Sequence, residues 1–328
     1  MKVLVTGGAG YIGSHAVRAL TRRGHQVRIY DNLSTGHRFL AGSNDLVVGD
    51  LSDSAKLAPA LRGIDAVMHF AASCYVGESV KDPREYFRNN VESGLNFVNH
   101  VLDAGIRTFI QSSTCATYGL PTVVPIREDT PRQPVNPYGS SKLFFENALE
   151  AYATAYGLRY VAFRYFNASG ADESGEIGEL HDPETHLIPK ALQAATGIIP
   201  ELEIFGSDYP TPDGTCIRDY IHVNDLAEAH ALGLEYLAAG GASTSLNLGT
   251  GTGNSVNEVI AACERISGRK VPRRMGPRRP GDPPALVADA SKAQKTMRWK
   301  AARGLNEIVA TAWKWHEKSQ AEALEGRP

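Results

Sequence analysis

The chain of 328 residues holds four cysteines, and no two of them are spaced as a C-x-x-C or metal-ligand pair. Cys74, Cys115, Cys216 and Cys263 therefore read as separate thiols, which argues against a disulfide framework and for a reducing compartment. No apolar run is long enough to cross a bilayer. Charge of one sign is missing too: 34 Lys and Arg stand against 36 Asp and Glu, a net charge of −2. That balance gives no broad attraction to nucleic acid or to an anionic membrane. The chain enters an apolar strand at Lys2, with no room for a signal peptide's apolar core and cleavage site, so a cytoplasmic location is expected. The ten histidines show no metal-ligand spacing, and His181 and His186 read as loop contacts. No metal is expected.

Glycine, by contrast, is placed where it acts. Lys2-Val3-Leu4-Val5-Thr6 reads as a parallel strand buried on both faces, because its apolar residues show no polar alternation. The turn Gly7-Gly8-Ala9-Gly10-Tyr11-Ile12-Gly13-Ser14 follows, and a helix from Ser14 carries Ala16, Val17 and Leu20 on one side until Gly24 stops it. Glycines at such a turn let the backbone approach a pyrophosphate, and the helix start offers unpaired N–H groups to its charge. Gly8, Gly10 and Gly13 fit one dinucleotide spacing and Gly7, Gly10 and Gly13 another, and the glycines alone do not choose. A second strand, Gln26 to Tyr30, ends at Asp31, where a ribose-binding acid is expected. A carboxylate there accepts from ribose hydroxyls and repels a 2′-phosphate, which points to NAD over NADP; Arg38 downstream is the one opposing feature.

Further buried strands are read at Leu46–Asp50, Asp65–Ala71, Thr108–Ser112 and Tyr160–Arg164, separated by helical stretches. The fold class expected is α/β, a Rossmann-type doubly wound parallel sheet with the ligand at the strands' carboxyl ends. Beyond about residue 170 the alternation breaks into Gly- and Pro-punctuated loops. The expected division is therefore a dinucleotide-binding domain over 1–170 and a smaller substrate lobe over 171–328, with part of about 215–250 returning to the first. The Arg- and Pro-rich segment Val271 to Pro284, with Arg273, Arg274, Arg278 and Arg279, reads as a rigid connection rather than a nucleic-acid surface.

Asn136-Pro137-Tyr138-Gly139-Ser140-Ser141-Lys142 opens a helix that sets Tyr138 and Lys142 four residues apart, on one face. Spacing alone is modest evidence, since any amphipathic helix supplies such pairs. Their position after a strand ending Ser112-Ser113-Thr114 strengthens the reading. A phenol is a poor base at neutral pH unless a cation favours its anion, and Lys142 with an oxidised nicotinamide would supply that charge. Thr114 is placed to bridge substrate oxygen and Tyr138.

Together these features resemble the extended short-chain dehydrogenase/reductase family, in its nucleotide-sugar branch. Within it the chain is most similar to the UDP-glucose 4-epimerases. The resemblance runs through Thr6 to Ser14, Asp31-Asn32-Leu33, His69-Phe70-Ala71-Ala72, Val76 to Val80, Arg164-Tyr165-Phe166-Asn167, Arg218 to Val223 and Arg279-Pro280-Gly281-Asp282. It implies NAD-dependent inversion at C4 of a UDP-hexose through a 4-keto sugar, with Tyr138, Lys142 and Thr114 catalytic. It implies that Gly7, Gly10, Tyr11, Ile12, Gly13, Asp31, Asn32, Asp50, Leu51, Phe70, Ala71, Asn90, Tyr138, Lys142 and Tyr165 hold the cofactor. Thr114, Tyr138, Asn167, His186, Leu187, Phe205, Arg218, Arg279, Asp282 and Leu286 would contact the UDP-sugar. Leu286 resembles a gate beside the sugar's C2 substituent, although a core leucine of the same strand is the simpler alternative.

Two departures stand out: His186 where the family often has Asn, and Cys74 where some members carry Lys. Asp219 and Asp225 are the ion-pair partners Arg218 would have if it were merely structural. Competing functions are a UDP-pentose or UDP-N-acetylhexosamine 4-epimerase, or a noncatalytic NAD-sensing protein on the same fold. The last would be marked by loss of Tyr138 or Lys142, and both are present. A dehydratase or decarboxylase would need an acid beside Thr114, where the chain has Cys115-Ala116-Thr117-Tyr118. A homodimer is implied by the resemblance only.

Overall fold

A computed structural model describes residues 1–279 and 281–324, so Pro280 of the Arg279–Asp282 motif lies outside the described residues. The strands run in chain order as β1 (Lys2–Thr6), β2 (Gln26–Asp31), β3 (Asp45–Val48), β4 (Ala66–His69), β5 (Thr108–Thr114), β6 (Arg159–Tyr165), β7 (Asn167–Ser169), β8 (Leu202–Phe205), β9 (Ile217–His222), β10 (Thr244–Leu248), β11 (Gly253–Ser255), β12 (Arg273–Gly276) and β13 (Ala285–Leu286). Seven of them form one sheet in the order β10-β6-β5-β4-β1-β2-β3. Every pairing in it is parallel.

Successive residues of a strand point to opposite faces, and the two cores divide accordingly. Val3 and Val5 join Ile29, Met68, Ile110 and Phe163 in one cluster, which also takes Val17, Leu20 and Leu234 from the Tyr11–Arg22 and Val223–Ala238 helices. Leu4 joins Val67, Phe109 and Ala162 on the other face, under Leu57, Phe97 and Phe145 of three further helices. Both faces are covered, which is why the strands read as unbroken apolar runs. The strand order reverses between β1 and β4, and the crevice outside their carboxyl ends is where a doubly wound sheet binds its ligand. There β4 stops at His69, two residues short of the expected end, because Phe70 and Ala71 pass beneath the glycine turn. At the next strand β5 continues past Ser112 to Thr114 and carries that hydroxyl to the same edge.

Beyond β6 the chain builds smaller sheets. β11, β9 and β13 lie side by side with β7 on β9, and β8 pairs with β12. Their core is filled by Ile188, Leu192, Ile260, Cys263, Ile308 and Val309 from the helices Leu187–Thr196, Val256–Ser267 and Leu305–Leu324. β10 returns to the edge of the main sheet beside β6.

One buried ion pair fastens the Pro137–Tyr156 helix to the sheet. Arg164 of β6 donates from Nε to Glu146 at 3.0 Å and from Nη2 at 2.6 Å, and both side chains are almost wholly buried. Ser113 and Arg132 also serve Glu146, and Tyr118 accepts from Arg164 at 2.9 Å. Glu146→Leu is expected to cost about 3–5 kcal/mol, because it strands a buried guanidinium. Removing the outer partner by Arg132→Ala should cost under about 1 kcal/mol. Urea midpoints of the two variants check this, and equal losses would contradict the asymmetry.

Candidate active site

The turn after β1 is packed so closely that it admits no side chain at two positions, Gly7 and Gly13, and leaves little room at Gly10. Gly7 has φ +69°, and a Cβ there would stand 2.6 Å from the Ala71 nitrogen. A Cβ on Gly13 would stand 2.1 Å from the Gly7 carbonyl oxygen, which in turn accepts from Gly10 N at 3.1 Å. A Cβ on Gly8 would meet the Ile29 side chain at 3.0 Å and the Val5 carbonyl oxygen at 3.2 Å, with no positive φ, so the spacing that shapes the turn is Gly7, Gly10 and Gly13. The Tyr11–Arg22 helix starts at Gly10 with no side-chain cap. Its first N–H groups are free for an anion, as a pyrophosphate cradle requires.

Asp31 ends β2 in the same turn. Its carboxylate accepts from Ala9 N at 2.9 Å and Leu33 N at 2.8 Å, so it shapes the loop that a ribose would meet. Burial raises its pKa while those two N–H groups oppose the rise. Asn32 donates to Asp50 at 2.8 Å, and Leu51 is buried beside them. Arg38 is exposed. Phe70 lies 4.7 Å from the His230 ring, and Tyr11 donates to the Gly170 carbonyl at 2.6 Å. Ile12 packs on the main core. Asn90 spends its amide on the protein, giving to Ser73 O and Ser141 Oγ at 3.0 Å each and accepting from Ser73 N. It braces the helix that carries Tyr138. These groups fit a dinucleotide.

The helix Pro137–Tyr156 forms where it does because Asn136 caps it, accepting from Gly139 N at 2.8 Å, and Pro137 takes its first position. A Cβ on Gly139 would stand 2.6 Å from the Ala116 carbonyl, so the helix start lies tight against the end of β5. Lys142 is buried and donates from Nζ to the Ser112 carbonyl at 2.9 Å. Ser112 Oγ and the Tyr165 hydroxyl are hydrogen-bonded beside it. Burial pushes the Tyr138 pKa well above its ordinary value, with further upward pressure from Cys74 and Tyr165, while neighbouring Thr114 pulls it back. Burial likewise lowers Lys142 to about 8. Each group is thus driven toward its neutral form until more charge arrives.

The smaller sheets bring a second set together. Arg218 on β9 is ion-paired with Asp282 and donates to the Ile217 carbonyl at 2.7 Å. Neither expected alternative partner is used. Asp219 accepts from Thr250 N and Oγ1, Gly251 N and Ala288 N, and Asp225 pairs with Arg303. The Arg279 guanidinium carbon stands 3.9 Å over the Phe205 ring. Leu286 registers with Arg218 and packs on the small cluster of Tyr118, Ile126 and Phe166. Asn167 opens β7, and His186 precedes the Leu187–Thr196 helix. Arg273, Arg274 and Arg278 pair with Glu264, Glu201, Glu203 and Asp208, which disperses the basic segment among carboxylates.

Sequence reasoning passed over Glu146, Glu179 and Glu184. The last two meet His181 and His186 in a compact group whose ligating atoms all lie within 4.8 Å of one another. Burial alone would lower both imidazole pKa values, but the two carboxylates outweigh it and raise them, His181 to about 9. The alternation Glu179-x-His181-x-x-Glu184-x-His186 was the available signal.

The model of the NAD dependent epimerase/dehydratase family matches residues 3–249. The UDP-glucose 4-epimerase of Rhizobium leguminosarum bv. trifolii is 49% identical over 319 residues, covering 97% of this chain and 98% of that protein. The crystal structure of UDP-glucose 4-epimerase from Brucella ovis in complex with NAD is 51% identical, with a TM-score of 0.93 over 95% of this chain and 97% of that one. The Bifidobacterium longum enzyme, in complex with NAD+ and UDP, is 38% identical with a TM-score of 0.92, over 98% and 99% of the two chains.

Asp31→Asn keeps the shape and removes the charge. It is expected to weaken NAD+ by about ten- to a hundredfold, the worth of hydrogen bonds to a charged acceptor, and to narrow the preference over NADP+. Calorimetric titration with both nucleotides checks it, and a wild-type preference for NADP+ would contradict the reading.

Proposed function

The chain belongs to the NAD dependent epimerase/dehydratase family, and from that premise we propose that it interconverts UDP-glucose and UDP-galactose by inverting C4. The observation that carries this is the pair of half-buried Tyr138 and buried Lys142 at the carboxyl edge of β5, beside Thr114. The full-length likeness to UDP-glucose 4-epimerases supports it. No acid stands beside Thr114, which supports one reversible oxidation at C4 over an elimination or a decarboxylation.

NAD would be held by Gly7, Gly10, Tyr11, Ile12 and Gly13 around the pyrophosphate and by Asp31, Asn32, Asp50 and Leu51 around adenosine. Phe70, Ala71, Tyr138, Lys142 and Tyr165 would line its other half, with Asn90 bracing the Tyr138 helix from behind. Bound NAD+ would supply the reversible two-electron oxidation of the C4 carbinol. Tyr138 takes the C4 hydroxyl proton as a phenolate, directly or through Thr114, and returns it after the 4-keto sugar has presented its other face. Lys142 supports the phenolate by its charge. Arg218 and Arg279 hold the diphosphate, a role suited to charged forks. Phe205, Asp282, Asn167, His186 and Leu187 complete the grip. Binding concentrated on UDP leaves the hexose free to turn without escaping.

Residues 1–170 serve the dinucleotide and 171–328 mainly the UDP-sugar, less the part of 215–250 that returns. Four unpaired thiols favour the cytoplasm. Exposed Phe144 and Tyr156 on the helix that bears Tyr138 offer apolar area to a homodimer partner.

Incubation with UDP-galactose and separation of products tests the activity, with UDP-glucose as the expected product. Tyr138→Phe should lower kcat about 10²–10⁴-fold, the usual weight of a general base, with the fold and UDP affinity kept. Near-normal turnover would refute the assignment. UDP-N-acetylglucosamine should turn over weakly, and Leu286→Ser should raise that activity selectively; a variant that changed both sugars alike would show that Leu286 only packs.

A further inference from the structure

Between β7 and the Leu187–Thr196 helix the chain places four ligand-bearing side chains around one point, and two of them are largely buried carboxylates. Glu179 Oε1 lies 2.7 Å from His186 Nδ1 and 3.2 Å from His181 Nδ1. Glu184 lies 3.2 Å from His186 Nδ1 through Oε1 and 3.7 Å from His181 Nδ1 through Oε2. Ordinary ion pairing would align each N–H with one oxygen. Here Glu179 Oε1, His181 Nδ1 and His186 Nδ1 are all buried without a hydrogen-bond partner, and the Glu179 side chain is only 6% exposed. A tetrahedron built on metal–ligand bonds of about 2.0–2.1 Å has edges of about 3.3–3.4 Å. The four separations, 2.7–3.7 Å, lie on both sides of that edge, and one ligating atom from each residue falls within 4.8 Å of the others, a spacing that one bound ion would draw together.

We propose that Glu179, His181, Glu184 and His186 bind one divalent transition-metal ion of the zinc class, through both Nδ1 atoms and one oxygen of each carboxylate. Two imidazoles and two carboxylates suit a borderline cation, and four protein ligands with none left open make the site structural rather than catalytic. The charge balances either way. Two imidazolium ions opposite two carboxylates sum to zero, and so do one dication and two carboxylates with both imidazoles neutral, so binding releases the two Nδ1 protons.

The surroundings are those of a supported ligand set. Glu184 Oε1 also accepts from Thr185 N and His186 N at 2.7 Å each, which fixes that carboxylate. Trp315 Nε1 donates to the Glu179 carbonyl at 2.7 Å, and Tyr11 and Tyr75 set ring edges against His181. A small pocket lined by Glu179, His181, Glu184, Pro189 and Trp315 gives the ion a way in. The ion would pin the 179–186 loop against Tyr11 of the first lobe and Trp315 of the last helix. It stands independently of whether His186 also meets the UDP-sugar.

The test uses tag-free, NAD-loaded protein stripped with EDTA and dialysed against buffered Zn2+, with metal content read by mass spectrometry. Wild type should hold about one Zn2+ per chain, with a raised melting temperature in Zn2+, and Cys74→Ser should hold the same. The double variant His181→Gln, Glu184→Gln should lose affinity by about a hundredfold or more. Failure of wild type to retain Zn2+ would reduce the cluster to ion pairs and overturn the proposal, as would full retention by the double variant. Should that variant not fold, Co2+ in wild type decides: a tetrahedral spectrum without thiolate charge transfer supports the site, and an octahedral or thiolate spectrum overturns it.

Discussion

The Lys142 ammonium is buried with the Ser112 carbonyl as its hydrogen-bond partner, and among the described residues it forms no ion pair. Burying an unpaired cation is costly, and the Lys142 pKa falls accordingly. The local structure holds the charge there all the same. Asn136 and Pro137 start the helix, Gly139 lets it press on the Ala116 carbonyl, and the Asn90 amide ties Ser141 to Ser73. An anion one turn away is what such an ammonium lacks, and Tyr138 is one turn away. The same low dielectric that makes the phenolate hard to form makes its attraction to Lys142 strong once it exists. On the function proposed above, the pair is a base held in reserve, formed when the site's total positive charge rises.

The two halves of the molecule bring different physics to that point. The parallel sheet offers backbone: a glycine turn, free N–H groups at a helix start and one carboxylate shaping the loop. The smaller sheets offer charged side chains whose partners are already in place, Arg218 on Asp282 and Arg279 over Phe205. Polar ties cross between them. Tyr11 donates to the Gly170 carbonyl, and Arg18 pairs with Asp172 at 2.9 Å and with Glu176 at 2.9 Å. Burial raises the Asp172 pKa, but hydrogen bonds from Ser174 and the charges of Arg18 and Arg22 outweigh it and hold the carboxyl down to about 2. That tie is therefore ionised across the neutral range.

Much of this was legible in the sequence where one local rule governed the outcome. Val3 to Val5 lacked polar alternation and became a strand covered on both faces; Gly24 ended a helix; Asp31 closed β2 at the turn. The sequence could not choose between Gly7 and Gly8, because the choice depends on Ala71, which meets the turn from β4. Long-range partners were likewise hidden. Nothing near Arg218 names Asp282, 64 residues away, as its counter-ion. His181 and His186 looked like loop contacts because the carboxylates between and before them come into register only when the loop folds back against Trp315.

The central claim is that Lys142 sustains the Tyr138 phenolate in the oxidised holoenzyme. Carbon-13 labelling at Cζ of tyrosine, with the Tyr138 resonance assigned by its loss in Tyr138→Phe, reads the ionisation of that one residue against pH by NMR. In the holoenzyme with oxidised cofactor, Tyr138 is predicted to titrate at least two units below the ordinary tyrosine value of about 10. In Lys142→Met it should return toward or above that value. A wild-type Tyr138 that stays protonated up to pH 10, or one whose titration does not move when Lys142 is replaced, would contradict the account.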